Sequence, residues 1–545
     1  MNSVVSNAAK RFASKDARRT FLILFITGVL INLPLITQRL TNHLDGLWNQ
    51  DDYIAGSWEL STGRWFWIIL DRLRFGISLD PFQTLAALAL FAAGLLLASK
   101  VLSLSRSPLT LLAGIWFLSG VGVTCQLSFS FMAITYGVSF LLSVLAVALI
   151  TCEAPLSLPL RIGCSSLCIA FMMGCYQASI GVTALLALSV LLYGILLGKS
   201  VRSQLSFALR MIAAVLVGGI LYMLLLKASL HLSGTELSDY QGFSNLSVSY
   251  LMSALPSAFV HCYRTAAHYL LDGTFRSNRL IGHIWFPLFY LPILLPGVCG
   301  LLRTVKKSIS RALFLVLGIL LFPAAANCFY FVAPDTETHM QMMIPMGCVL
   351  PLLLCMADPL WTKTKKDRVP DSVCHTPSVD ASSISAQGSS DAKLTCICLI
   401  TAAFLCFGSL LQCATDEYAM LVGRRATQTL AEEILAEASR LGYDYTNGQI
   451  LITDSPHSSK TFYTAALYDK ANSYAQYGNW SHDLSFSRVS WIKFYTNYLR
   501  VQVSFASGDT EATIAALPEV AAMPSFPAAG SVQNIYGVLV VKLGE

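Results

Sequence analysis

The chain reads as an all-α polytopic membrane protein with a small α/β module at its C-terminal end, and three observations predict this class. Of its 545 residues, 55% are apolar and only 12% charged, with a mean hydropathy of +0.60. A soluble chain of that make-up would expose large apolar surfaces. Apolar runs of about 17–25 residues recur along most of the length, long enough to cross a hydrocarbon core of about 30 Å, where backbone groups are satisfied as helices. The final stretch, 414–545, is polar instead and carries strand-like runs.

Taken in order, the runs predict spans at Thr20–Thr37, Phe82–Val101, Leu109–Thr124, Phe131–Thr151, Ile162–Tyr176, Ile180–Leu197, Ala208–Ala228, Ile284–Leu302, Ala312–Val332, Met342–Leu360 and Leu394–Leu411. That makes about eleven. Lys10, Arg11, Lys15, Arg18 and Arg19 precede the first span, and basic residues in short loops mark the cytoplasmic side. Alternate loops agree: Cys125–Ser130, Tyr176–Ser179 and Ala333–Met340 hold no Lys or Arg, whereas Lys199, Arg202, Arg303, Lys306 and Lys307 fall on the other side. The expected topology is a multi-pass protein of the cytoplasmic membrane with its N-terminus inside and its C-terminus outside. The net charge of +6 is then a topology signal and does not imply nucleic acid. The first span lacks a small-x-small cleavage site, so it reads as a retained anchor and not as a signal peptide. The pairs Cys164/Cys168 and Cys396/Cys398 have no companion ligands at metal-site spacing and read as small buried hydrophobes.

Two domains are expected, a transmembrane part at 1–413 and an extracytoplasmic α/β part at 414–545. The first holds an outer loop at 38–81, a second large outer loop at 229–283, and a Ser-, Asp- and Pro-rich cytoplasmic linker at 363–393. In the second, a helix from Tyr418 to Leu441 leads through Gly442 into the strand-like Gln449–Thr453, and Tyr536–Val541 closes the chain as another strand-like run. The sequons at Asn245 and Asn479 read as coincidental.

The chemistry concentrates in the first outer loop. Asn49-Gln50-Asp51-Asp52-Tyr53 is followed by Gly63-Arg64-Trp65 and a Trp-rich, Arg-flanked stretch to Arg74. That stretch suits a helix lying in the interface, with its rings at headgroup level and its charges reaching outward. Paired carboxylates where a span empties into water can act as a general base, bind a cation, or simply be solvated. Base catalysis needs a carboxylate within reach of a hydroxyl proton, and a leaving phosphate needs cationic donors. Asp51 and Asp52 are the acid–base candidates. Arg64 is the first phosphate candidate, and Trp58 and Trp65 could stack on a sugar face. Tyr176 and Gln177, at a span terminus, are candidates to line the sugar pocket. His261, Arg264 and His268 share one face of an amphipathic helix in the second outer loop and are further candidates for the phosphate side. Asp335, Glu337 and His339 are too few and too crowded by Pro334 to predict a metal site.

This arrangement of Asp51-Asp52, Trp58, Gly63-Arg64-Trp65, Asp80-Pro81 and Tyr176-Gln177 resembles the membrane-embedded C-type (GT-C) glycosyltransferase superfamily. More narrowly it resembles the serotype-converting glucosyltransferase II family. The resemblance implies a GT-C-like fold and transfer of a glucosyl unit from a polyprenyl-phosphate-linked donor to a surface glycan, such as O-antigen or teichoic acid, on the outer face. It makes Asp51 or Asp52 the catalytic carboxylate and implies inversion at the anomeric carbon. No metal or other cofactor is expected; the partners are the lipid-linked donor, the glycan acceptor and membrane lipids, without nucleic acid. Two rivals remain open, a flippase or transporter of lipid-linked sugars and a polysaccharide polymerase or ligase. A flippase would place ionisable residues inside its spans, and these spans hold almost none.

Overall fold

The computed structural model describes residues 14–102, 107–151, 156–240, 248–274, 276–277, 281–350, 381–454, 465–480 and 487–544. Most of the predicted linker at 363–393, the Asn245 sequon and the second half of the predicted Met342–Leu360 span lie outside them. The described residues are mostly helical, and seven helices are long and apolar enough to cross a membrane, or eight if one bent pair counts as a single span.

Phe82–Val101, Ser130–Thr151, Leu158–Cys175, Gln177–Leu196, Val201–Ser233, Ile309–Ala326 and Cys396–Arg440 are these seven. Between them, hydroxyls tie one helix to the carbonyls of the next. Ser139 Oγ donates to Met172 O at 3.2 Å, Ser165 Oγ to Ala146 O at 2.8 Å and Ser166 Oγ to Ala214 O at 3.1 Å. Without water to drive association, close approach and such bonds hold helices together in lipid. Gly218 permits one close approach, because a Cβ there would stand 2.9 Å from Ile169. The opposite face of Val201–Ser233 presents Leu209, Leu216 and Ile220 outward, as a lipid-facing surface requires.

Two predicted spans are broken. The first run divides at Asn32 into Lys15–Ile31 and Leu33–Gln38, where Pro34 cannot continue the hydrogen-bond ladder. The Leu109–Thr124 run becomes two helices bent by 55°, Pro108–Leu118 and Val121–Leu127, around Gly120. Short 3-10 turns at Met340–Met343 and Met346–Cys348 stand where the Met342–Leu360 span was expected to begin.

The helix expected at Tyr418–Leu441 is the end of one continuous helix, Ala381–Arg440, which runs through the expected boundary at 413/414. Beyond it the sheet has the order β2-β1-β4-β3, built from Gln449–Thr453 (β1), Ser504–Phe505 (β2), Val532–Ile535 (β3) and Val538–Lys542 (β4). β1 pairs in parallel with β2 and β4, while β3 and β4 form a hairpin. Asp416 anchors this module to the long helix: its buried Oδ1 accepts the backbone N–H groups of Gln476, Tyr477 and Gly478 at 2.6–2.8 Å. One continuous apolar cluster runs from Leu24 and Phe91 through Trp480 and Phe494 to Leu539. The C-terminal module is therefore packed onto the helical bundle.

Candidate active site in the first loop

Two charge centres shape the loop at 38–81. The first is buried. Asp71 and Arg74 pair at 2.9 Å with both side chains out of solvent, and every arm of the pair is used. Asp71 Oδ2 accepts from the Ala55 N–H at 2.9 Å; Arg74 donates to the carbonyls of Ile77, Tyr53 and Phe131 at 3.0, 2.8 and 3.1 Å. Burial pushes the Asp71 carboxyl up, and the Arg74 guanidinium opposes that shift. The expected outward reach of these charges is thus corrected. Trp65, Trp67, Asp71 and Arg74 face inward, and the outer face of Trp65–Leu73 carries Ile69, Arg72 and Leu73, followed by Phe75. A buried charge needs partners, and the loop's own carbonyls supply them.

The second centre is the acid pair. Asp51 is 28% exposed, and each of its oxygens meets a guanidinium: Arg39 Nη2 to Oδ1 at 2.9 Å and Arg500 Nη1 to Oδ2 at 2.8 Å. A carboxylate offers about four lone-pair sites, so two remain. The backbone is pinned by the Tyr53 N–H to Gly76 O at 2.9 Å and the Ser78 N–H to Asp51 O at 3.0 Å. Asp52 is far more open, 83% exposed, with Lys493 Nζ at 3.7 Å.

Arg64 belongs to neither ion-paired centre. It follows Gly63, whose φ of +85° suits glycine, and precedes Trp65–Leu73. Its guanidinium lies 5.9 Å from the Trp67 ring and 5.7 Å from the Tyr176 ring. Among the described residues it makes no ion pair, and its buried Nε has no hydrogen-bond partner. It lines a pocket of about 110 Å³ together with Thr62, Tyr176, Gln177, Tyr240 and His339. Gln177 fastens the pocket floor, donating to Thr62 O at 2.7 Å and to the Tyr222 hydroxyl at 3.3 Å, which itself donates to Gly63 O at 3.1 Å. Arg64, Tyr176 and Gln177 are therefore brought together.

The other candidates scatter. Trp58 is exposed and meets Tyr240 edge to face at 5.5 Å, beside the pocket. Trp65 is buried against Phe66 and Phe171 and packs the loop onto the bundle. His261 Nδ1 lies 3.1 Å from Pro334 O, Arg264 is exposed, and His268 follows the end of helix Val248–Ala267; none of the three lines the pocket. Asp335 accepts a hydrogen bond from the Tyr250 hydroxyl. Among the described residues no three His, Cys, Asp or Glu side chains stand together as a cation site.

Three functional candidates escaped the sequence. Arg39 and Arg500 reach Asp51 only through the fold. Asp45 opens the short helix Asp45–Trp48 and is open to solvent, yet its surroundings raise its carboxyl by desolvation, with Arg64 opposing.

A family model described as glucosyl transferase GtrII matches residues 43–352, more than half of the chain. The chain belongs to this family. Membership makes it a glucosyltransferase, and its apolar helices make it a membrane protein. The match contains Asp45, Asp51, Asp52, Arg64, Tyr176 and Gln177, while Arg39 and the whole C-terminal module lie outside it. No curated protein and no solved structure matches the chain.

Proposed function

We propose that this GtrII member moves a glucosyl unit from a polyprenyl-phosphate-linked donor to a surface glycan, on the outer face of the cytoplasmic membrane. The observation that carries the reading is Arg64: a guanidinium backed by two aromatic rings, with no ion pair among the described residues, lining a pocket and carried by the same loop as Asp51 and Asp52. Such a cation suits a phosphate, whose charge grows as the glycosidic bond breaks. Asp51 is the carboxylate that takes the proton from the acceptor hydroxyl. Its two guanidinium partners orient it, and its remaining lone pairs are free to accept. The bond from the anomeric carbon to the phosphate oxygen breaks as the acceptor oxygen bonds to that carbon. The electron pair leaves with the phosphate and the proton with Asp51. Exposed Trp58 and Tyr240 give the acceptor sugar an aromatic edge to lie against. No metal or cofactor is assigned. The basic N-terminal segment supports a cytoplasmic N-terminus, and the C-terminal module is then extracytoplasmic.

Surface polysaccharide from cells with and without the chain tests the reading. An added glucosyl branch, with the main chain unaltered, is the expected result. A change only in the amount or length of polymer would assign the chain to lipid-linked sugar export or polymerisation instead.

A further inference from the structure

The partners of the acid pair come from outside the GtrII match. Arg500 and Lys493 belong to the C-terminal module, and Arg39 closes the helix Leu33–Gln38. Both arginines that meet Asp51 hold the left-handed conformation, with φ of +49° at Arg39 and +57° at Arg500. Each sits where a helical turn ends, after Leu33–Gln38 and after Tyr495–Leu499, a place glycine fills at least strain. A cation at a helix C-terminus also interacts well with the helix dipole, and that alone would account for a basic residue at either place. It does not account for two such residues, 461 positions apart (500 minus 39), converging on the two oxygens of one carboxylate.

Docking of the module has other means. Trp48 Nε1 donates to Ser490 Oγ at 2.8 Å, Trp480 Nε1 to Thr41 O at 2.9 Å, and Asn497 Nδ2 to Leu47 O at 3.1 Å. Around them Trp480, Phe494 and Tyr495 are buried in the shared apolar cluster. Arg500 is 63% exposed, and exposed ion pairs add little to stability. The bond to Asp51 therefore adds little to the module's attachment, and its geometric effect is on the carboxylate.

We propose that Arg500 is a positioning residue of the transferase: with Arg39 it fixes the Asp51 carboxylate, so the C-terminal module completes the active centre. The proposal rests on the reading of Asp51 as the carboxylate that accepts the proton. Holding a reacting group to a fraction of an ångström is worth large factors in rate, and it acts on the chemical step more than on donor binding.

The test uses membranes containing the full-length chain, radiolabelled prenyl-phosphate glucose as donor, and the host glycan as acceptor. Arg500→Ala should lower kcat roughly 10–100-fold while the KM for the donor stays within about twofold, and Arg500→Lys should recover much of the loss. Limited proteolysis should release the module no faster from Arg500→Ala than from the parent. An unchanged kcat in Arg500→Ala, measured beside an inactive Asp51→Asn, would overturn the role of Arg500 and leave the transferase reading intact. Wild-type transfer by Asp51→Asn would remove the carboxylate that the proposal depends on. Faster release of the module from Arg500→Ala, with no recovery in Arg500→Lys, would reduce the contact to a structural one.

Discussion

The loop at 38–81 contains two arginine–aspartate centres of similar bond length and opposite design. At Asp71–Arg74 both side chains are buried, and each polar arm ends on another part of the loop or on Phe131. At Asp51 the carboxylate is partly open, its two cations come from distant parts of the chain, and lone pairs remain. The difference separates charge that builds a loop from charge that a substrate can reach. A sealed pair has no capacity left for chemistry, whereas an open one is held in place and still able to accept a proton.

The comparison can be broken most forcefully at the buried pair. Arg74→Met or Asp71→Asn leaves an unmatched buried partner, which costs about 3–5 kcal/mol. Both variants should accumulate poorly or lose thermal stability in detergent, with transfer falling in proportion to folded protein. Full stability with selective loss of transfer would move the chemistry to Asp71. Arg64→Ala should then show the opposite pattern. It removes a charge-assisted contact worth about 1.5–3 kcal/mol to a phosphate, so donor KM should rise roughly 10–100-fold at normal protein levels. Unchanged donor dependence would take Arg64 out of the site.

A smaller effect sharpens the contrast at the edge of the module. His43, beside the Asn479 backbone, is lowered by burial from 6.5 to about 4. The folded form resists protonation, so the stabilising contribution of His43 is fully present above 6.5, is lost as pH falls, and is gone below about 4. At about pH 5.5 the loss is of order 1 kcal/mol. Proteolytic release of the module should accelerate as pH drops through this window, and His43→Gln should flatten the dependence. Equal acid sensitivity in the variant would assign the effect to other groups.

Hydropathy was a good guide to straight spans and a poor one to breaks. Phe82–Val101 was legible to the residue because Pro81 precedes it and the long apolar run Leu85–Ala98 ends at Ser99 and Lys100 in its last turn. The 55° bend near Gly120 left no mark in hydropathy, since both arms are apolar. The polar cluster from Gln412 to Glu417 reads as the end of a span, yet the helix continues because Asp416 finds backbone donors at Gln476–Gly478. The sheet was half legible: β1 and β4 carry apolar runs, while β3, with its polar Gln533 and Asn534, does not. In the site, Arg64, Tyr176 and Gln177 were legible as types and are joined by the fold. Arg39 and Arg500 were not, because a lone arginine carries no signal until the chain brings a carboxylate to it.

Glucose transfer by Asp51→Asn and Asp52→Asn, measured side by side at equal amounts of membrane-inserted protein, bears most directly on the open centre. Asp51→Asn should lose about 100-fold or more in kcat, in keeping with removal of a general base, whereas exposed Asp52→Asn should stay within about fivefold of the parent. Wild-type transfer by Asp51→Asn, or a loss confined to Asp52→Asn, would contradict the assignment.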